Sequence, residues 1–228
     1  LIRERGDRRF VLLSRGAPPG WLMAFQYAGL MTVLNADALL FDREDVRALF
    51  RLQEIPVSET EISGILKETS GYPLGVAITA HNMAGGRAFD SELIAQCYHE
   101  VFFYFEAAVY HRFDLPIRRF LLELAPFEDF DAEMARMVSG NPRAGELLGW
   151  LQRNTTMLRP AGVGRFRFWA QFRAFLLWEM DREYAEEKRR TVMNRGAMPS
   201  CTPVWGITAR WKNTTAACRR RRSALLRR

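Results

Sequence analysis

Apolar positions along the chain change their spacing several times, and each change marks an element. Arg9-Phe-Val-Leu-Leu-Ser14 is a short apolar run flanked by charge and ended by the loop Arg15-Gly-Ala-Pro-Pro-Gly20, the pattern of a buried strand. Trp21 to Gly29 predicts a short helix, and Thr32–Asn35 with Leu39–Phe41 a second extended segment. From Asp42 the period becomes helical. Asp42 stands as N-cap before the first-turn acids Glu44 and Asp45, and Val46, Leu49, Phe50 and Leu52 form the apolar face. Pro56 stops that helix, Ser58-Glu-Thr-Glu61 is a capping box opening the next, and Ile62, Ile65 and Leu66 give it a buried face. Gly71-Tyr72-Pro73 breaks the chain, with Pro73 at the N1 position of a third helix that runs to Met83 and ends at Gly85-Gly86.

A second unit begins near Asp90-Ser91. Helical spacing runs from Ser91 to His111, then over Leu115–Glu123, Asp131–Val138 and Asn141–Leu151. The period then switches to alternation: Thr156–Arg159, a turn at Pro160-Ala-Gly-Val-Gly164, and Arg165–Phe168 predict a β-hairpin with Phe166 and Phe168 on one face. A last helix is expected from Trp169 to Arg190. These helices, the hairpin and a closing helix predict a winged helix over 91–190.

After Asn194 neither period survives. Residues 1–187 hold 21 Lys and Arg against 26 Asp and Glu, whereas residues 188–228 hold 12 basic residues and no acid, so the net charge of +7 comes wholly from the last 41 residues. The body is mildly acidic and does not carry the electrostatic footprint of a protein that tracks phosphate backbones. The stretch 191–228 reads as a basic tail, disordered or frame-shifted, and dispensable for folding of the rest from about residue 195. No apolar run reaches the length of a membrane span, and no signal-peptide pattern opens the chain, which predicts a cytoplasmic protein truncated at its start.

Candidate chemistry is sparse. Cys97, Cys201 and Cys218 form no CxxC pair, and His81, His99 and His111 are scattered, so no zinc site is expected. Cys97 reads as a buried thiol and His99 as a half-exposed imidazole. No Ser has a nearby His base, and Asp129 and Asp131 read as a solvated acidic loop. No catalytic residue is assigned. Phe102, Phe103, Tyr104 and Phe105 run consecutively and therefore point all round a helix, as core plus a packing face. Arg159, Arg165, Arg167 and Arg173 cluster around the wing and are the candidates for nucleic-acid contact, which the acidic body argues against.

Four segments, in order, resemble the MalT-like (maltose-regulon-activator) type of LuxR-family transcriptional regulator, a STAND-class signalling ATPase. They are Phe10-Val-Leu-Leu-Ser-Arg15, Leu34–Phe41 leading into Asp45–Phe50, Thr69-Ser-Gly-Tyr-Pro-Leu-Gly75, and Arg165-Phe-Arg-Phe-Trp-Ala-Gln-Phe-Arg-Ala-Phe-Leu176. The resemblance covers residues 9–190. It implies a mainly α chain comprising the C-terminal edge of an α/β nucleotide-binding domain over 1–42, a helical lid over 43–90 and a winged-helix domain over 91–190. It assigns Arg15 to the γ-phosphate of a nucleotide and Gly71, Tyr72 and Pro73 to the turn that would meet its adenine.

Departures from the pattern limit what the chain does alone. It contains no Gly-x-x-x-x-Gly-Lys-Ser/Thr, and Trp169-Ala170 stands where the family usually has His-His. ATP or ADP with Mg²⁺ is therefore expected in an intact protein, with neither tight binding nor hydrolysis by this chain. The implied partners are a nucleotide-binding core and C-terminal domains, further copies on activation, and DNA only through a separate helix-turn-helix; no membrane is expected. Two other readings stand beside this one: a stand-alone winged-helix DNA binder, and a helical interaction module without a ligand.

Overall fold

Local capping chemistry starts the helices where the polar pattern places them. In the computed structural model, which describes residues 10–14 and 18–196, helix α1 (Met23–Tyr27) follows a 3-10 turn at Gly20–Leu22. Helix α2 (Arg43–Leu52) opens on a reciprocal box: Asp42 accepts from the Asp45 amide at 2.9 Å, and Asp45 accepts from the Asp42 amide at 3.0 Å. Helix α3 (Glu59–Thr69) repeats the device with Ser58 and Glu61. Pro73 is the first residue of α4 (Pro73–Met83), where its missing N–H costs nothing. Asp90 caps α5 (Ser91–Ala108) through the Leu93 amide.

Beyond α5 come α6 (Leu115–Leu124), strand β1 (Phe130–Asp131), α7 (Ala132–Ser139), α8 (Ala144–Asn154), β2 (Leu158–Pro160), β3 (Arg165–Phe168), α9 (Ala170–Glu183) and α10 (Glu186–Arg195). The sheet is antiparallel in the order β1-β3-β2, with Phe130 opposite Phe166 and Leu158 opposite Phe168. The hairpin is where the alternation puts it. Phe166 and Phe168 turn to the core side, Phe168 fully buried and Phe166 half-buried, while Arg165 and Arg167 take the other face. Helices flanking these strands in sequence, together with this small sheet, form the winged helix. It is mainly helical, as expected.

The core falls into two clusters. Val46 and Phe50 of α2, Ile62 and Ile65 of α3, and Val76, Ala80 and Met83 of α4 pack with Leu93 and Cys97 at the start of α5. The second cluster takes Val101, Phe102 and Phe105 from the far half of the same helix, and joins them to Phe120, Phe168, Phe172 and Phe175. Phe105 meets Phe172 edge-on at 5.4 Å and Tyr110 meets Phe175 edge-on at 5.5 Å, the arrangement that ring quadrupoles favour. Phe102 and Phe105 are core and Phe103 and Tyr104 are exposed, which is the division that four consecutive aromatics on a helix require.

Several expectations are corrected. Residues 10–14 form no strand and are exposed, Leu13 at 93%. Residues 32–35 are likewise in no strand, and Asp37–Leu39 is a 3-10 turn. No described residue before Val46 is buried. The helix expected through His111 ends at Ala108, with a 3-10 turn at Tyr110–Arg112. The single closing helix is two, because Tyr184 turns extended (φ −108°, ψ 128°) and buries its ring. His99 is exposed rather than half-exposed. The tail from 197 onward, with Cys201 and Cys218, lies outside the described residues.

Candidate functional site

Three of the four segments singled out in the sequence converge between the α2–α4 unit and the winged helix. Gly71 has φ +72°, a conformation that glycine adopts without strain. The Phe41 amide donates to the Gly71 carbonyl at 2.8 Å, and a Cβ on Gly71 would lie 2.4 Å from the Phe41 carbonyl oxygen. The turn therefore holds the end of the 34–41 segment by backbone contact. Its own geometry is fixed from below, since the Thr69 hydroxyl donates to the Ile65 carbonyl and accepts from the Gly71 amide.

Tyr72 is the N-cap residue of α4 and is half-buried, its ring 5.9 Å from that of Phe105 and tilted by 33°. Burial, with the nearby Tyr104 phenol adding to it, holds the Tyr72 hydroxyl protonated to a higher pH than usual. Pro73 fixes the backbone on the far side of the ring. One turn along α4, Gly75 lets the buried Gln171 of α9 approach so closely that a Cβ would lie 2.6 Å from its Nε2. The Gln171 Oε1 is buried without a hydrogen-bond partner.

The third contact lies at the wing. Arg159 of β2 pairs with Asp37 in the 34–41 segment, and its guanidinium lies over the Trp169 ring at 4.3 Å from the centroid. Trp169 is the N-cap residue of α9. Cation–π contact at a half-exposed site contributes about 0.5–1 kcal/mol, and an exposed ion pair no more. The pair thus sets a position rather than supplying stability.

Of the four residues assigned from sequence, Gly71, Tyr72 and Pro73 form one turn, and Arg15 lies outside the described residues. Asp37, Phe41 and Gln171 were not assigned. Asp37 and Gln171 carry no motif of their own, since their part depends on segments far apart in the chain.

The wing arginines are engaged. The Arg165 Nε donates to Asp129 at 2.8 Å and its Nη2 does so as well; Arg167 reaches the second Asp129 oxygen at 3.4 Å. Asp129 is therefore an ion-paired residue and not a solvated loop acid. Asp131 caps α7 through the Met134 amide at 2.8 Å. Arg173 is buried and donates to the carbonyls of Ala125 and Pro126, so it is a structural tie. Burial lowers the affinity of its guanidinium for the proton, with Glu128 opposing. Cys97 is a buried thiol as expected, pushed up to about 11 by desolvation.

Helices α6–α8, a small antiparallel sheet and the closing helices α9 and α10 define the class: a winged helix attached to a helical neighbour. Residues 106–188 match the family model described as the MalT winged helix domain, and this stretch runs from the end of α5 into α10. The unit is thus similar to the winged helix of MalT-like regulators. No curated protein matches the chain. No helix among the described residues is long and apolar enough to cross a membrane.

Proposed function

We propose that the chain is part of an ATP-dependent transcriptional regulator, LuxR-like and of the STAND class, in which nucleotide state sets how the helical lid packs on the winged helix. One observation carries this reading. The 34–41 segment, the Thr69–Gly75 turn and the Arg165–Leu176 segment, far apart in sequence, meet through Phe41–Gly71, Gly75–Gln171, and Asp37–Arg159 with the Arg159 guanidinium over Trp169. A change at the turn would be felt by α9 directly, because two packed arrangements are the usual basis of such a switch.

The turn fits the purine end of a nucleotide, since Tyr72 offers an aromatic surface beside a backbone fixed by Pro73. The phosphate end is assigned to Arg15, whose planar fork of donors suits an oxyanion. Mg²⁺ and the phosphate cradle would come from a nucleotide-binding core elsewhere in the intact protein, and DNA contact from a separate helix-turn-helix. The role is regulatory. The DNA-binder reading has less support, because Arg165 and Arg167 are held by Asp129 and Arg159 by Asp37.

The test is to read the coding DNA upstream for a Gly-x-x-x-x-Gly-Lys-Ser/Thr motif, then compare sedimentation of the whole protein with ATP and with ADP. The reading expects the motif and a nucleotide-dependent change in assembly that Tyr72→Ala abolishes. An upstream sequence without the motif would overturn it.

A further inference from the structure

Away from that junction, an open cleft of about 250 Å³ lies between α6 and the α7–α8 connection. Its walls are Leu115, Pro116 and Phe120, and its polar lining includes Arg119, Glu123 and Asn141. Sites for drug-sized ligands span roughly 300–1,000 Å³, so this volume suits something smaller.

The polar groups are arranged in an unusual way. Glu123 is 95% buried by its 5% exposure, yet among the described residues it accepts no hydrogen bond and joins no ion pair. A buried carboxylate normally has such partners, because leaving one unpaired is costly. The cations nearest to it are directed elsewhere. Lys188 lies over the Tyr184 ring at 3.5 Å, and Arg195 donates to the Val138 carbonyl at 3.4 Å. Arg119, one helical turn before Glu123 on α6, is exposed and forms no ion pair with an acid among the described residues. Asn141 spends its carbonyl on the Arg143 amide at 2.9 Å, which leaves its amide N–H₂ to the cleft. The Tyr184 hydroxyl, electrostatically coupled to both Glu123 and Arg119, is buried without a hydrogen-bond partner.

The cleft therefore presents an acceptor on its floor and donors at its mouth, against an apolar wall. A lone anion would meet Glu123, and a lone cation would meet Arg119. A small zwitterion satisfies both. We infer that the cleft binds a free α-amino acid with an apolar side chain, its ammonium on Glu123, its carboxylate on Arg119 and Asn141, and its side chain against Leu115, Pro116 and Phe120. Side chains four apart on a helix are neighbours about 5–6 Å apart at Cβ. A molecule whose two charges are separated by one carbon spans that gap. Burial raises the pH at which Glu123 loses its proton, with Lys188, Arg195 and Arg119 opposing.

The experiment is calorimetric titration of the full chain with L-leucine, L-methionine and L-phenylalanine in turn, with isovalerate and isoamylamine as leucine analogues lacking one charge. At least one amino acid is expected to bind, and each analogue of leucine to bind roughly tenfold more weakly or not at all. Arg119→Gln, at an exposed position, is expected to weaken binding by roughly tenfold, and Glu123→Gln to do the same. No heat with any of the three amino acids overturns the assignment. So does isovalerate binding as well as leucine, or Arg119→Gln binding like the parent chain.

Discussion

The carbonyl oxygen of Phe41 occupies the space that a Cβ on Gly71 would need, 2.4 Å from it, while the amide of the same Phe41 donates to the Gly71 carbonyl. Both partners are backbone, so neither can swing aside.

Gly71→Ala is therefore expected to destabilise the chain by about 2–4 kcal/mol, combining the left-handed backbone with the collision. Gly85, with φ +84° but nothing within 4 Å of its would-be Cβ, supplies the comparison. Gly85→Ala should cost only about 1–2 kcal/mol, the conformational part alone. Equal losses in urea midpoint for the two variants would show that the Phe41 contact contributes nothing.

Arg173 ties the Ala125 and Pro126 carbonyls to α9 through two hydrogen bonds of 2.8 and 2.9 Å. Arg173→Met keeps the stem and strands both acceptors, at a cost of about 2–4 kcal/mol. Arg173→Lys should not restore the loss, because a point charge cannot serve two carbonyls as a planar fork does. Denaturant curves of the two variants decide it, and recovery of parental stability by Lys would refute the two-pronged role.

Glu179 is 4% exposed, and burial pushes its carboxyl from an ordinary 4.5 up to about 7; Glu106 and Glu183 add to the effect while its partner Arg182 opposes it. Between these two pH values the folded protein keeps a proton that the unfolded chain has lost, so this group's contribution to stability falls as pH rises and levels off above about 7. Glu179→Gln removes the titration. The stability of the variant relative to the parent should rise between pH 5 and pH 8 by on the order of 2 kcal/mol. A difference independent of pH would count against the assignment.

Arg165 and Arg167 of β3 are already bound to Asp129. Changing both, as Arg165→Gln with Arg167→Gln, should leave affinity of the full chain for duplex DNA within about twofold, since phosphate contacts of free arginines would each contribute to the salt slope. A large loss of affinity, with a shallower salt dependence, would revive the DNA-binding reading.

Signals that act within one turn of chain were legible in the sequence. Asp42, Ser58, Pro73 and Asp90 each begin a helix by satisfying or lacking a local N–H, and the helices start where these residues stand. The hairpin was legible for the same reason, from alternation next to a Gly-rich turn. Strand β1 was not, because two residues carry no period and Asp131 serves at once as strand partner to Arg165 and as cap of α7. The break at Tyr184 has no Gly or Pro to announce it; the chain turns there so that Tyr184 and Val192 reach the second core cluster. The apolar run at 10–14 gave a strand pattern, but a strand exists only with a neighbour. At the junction, the Gly71 turn was visible as a break, whereas Gln171 and Asp37 acquire meaning only from the pairing of distant segments.

Helix α5 belongs to both clusters, giving Leu93 and Cys97 to one and Phe102 and Phe105 to the other. Its 18 residues make a rod of about 27 Å with no Pro or Gly along it. Neither cluster can open without stripping a wall from this rod, and fraying the rod at one end exposes the aromatic floor of the other. The two halves are therefore thermodynamically one object. Heating should melt them in a single transition whose calorimetric and van't Hoff enthalpies agree, and a glycine placed mid-rod, at the exposed Phe103, should soften both halves together.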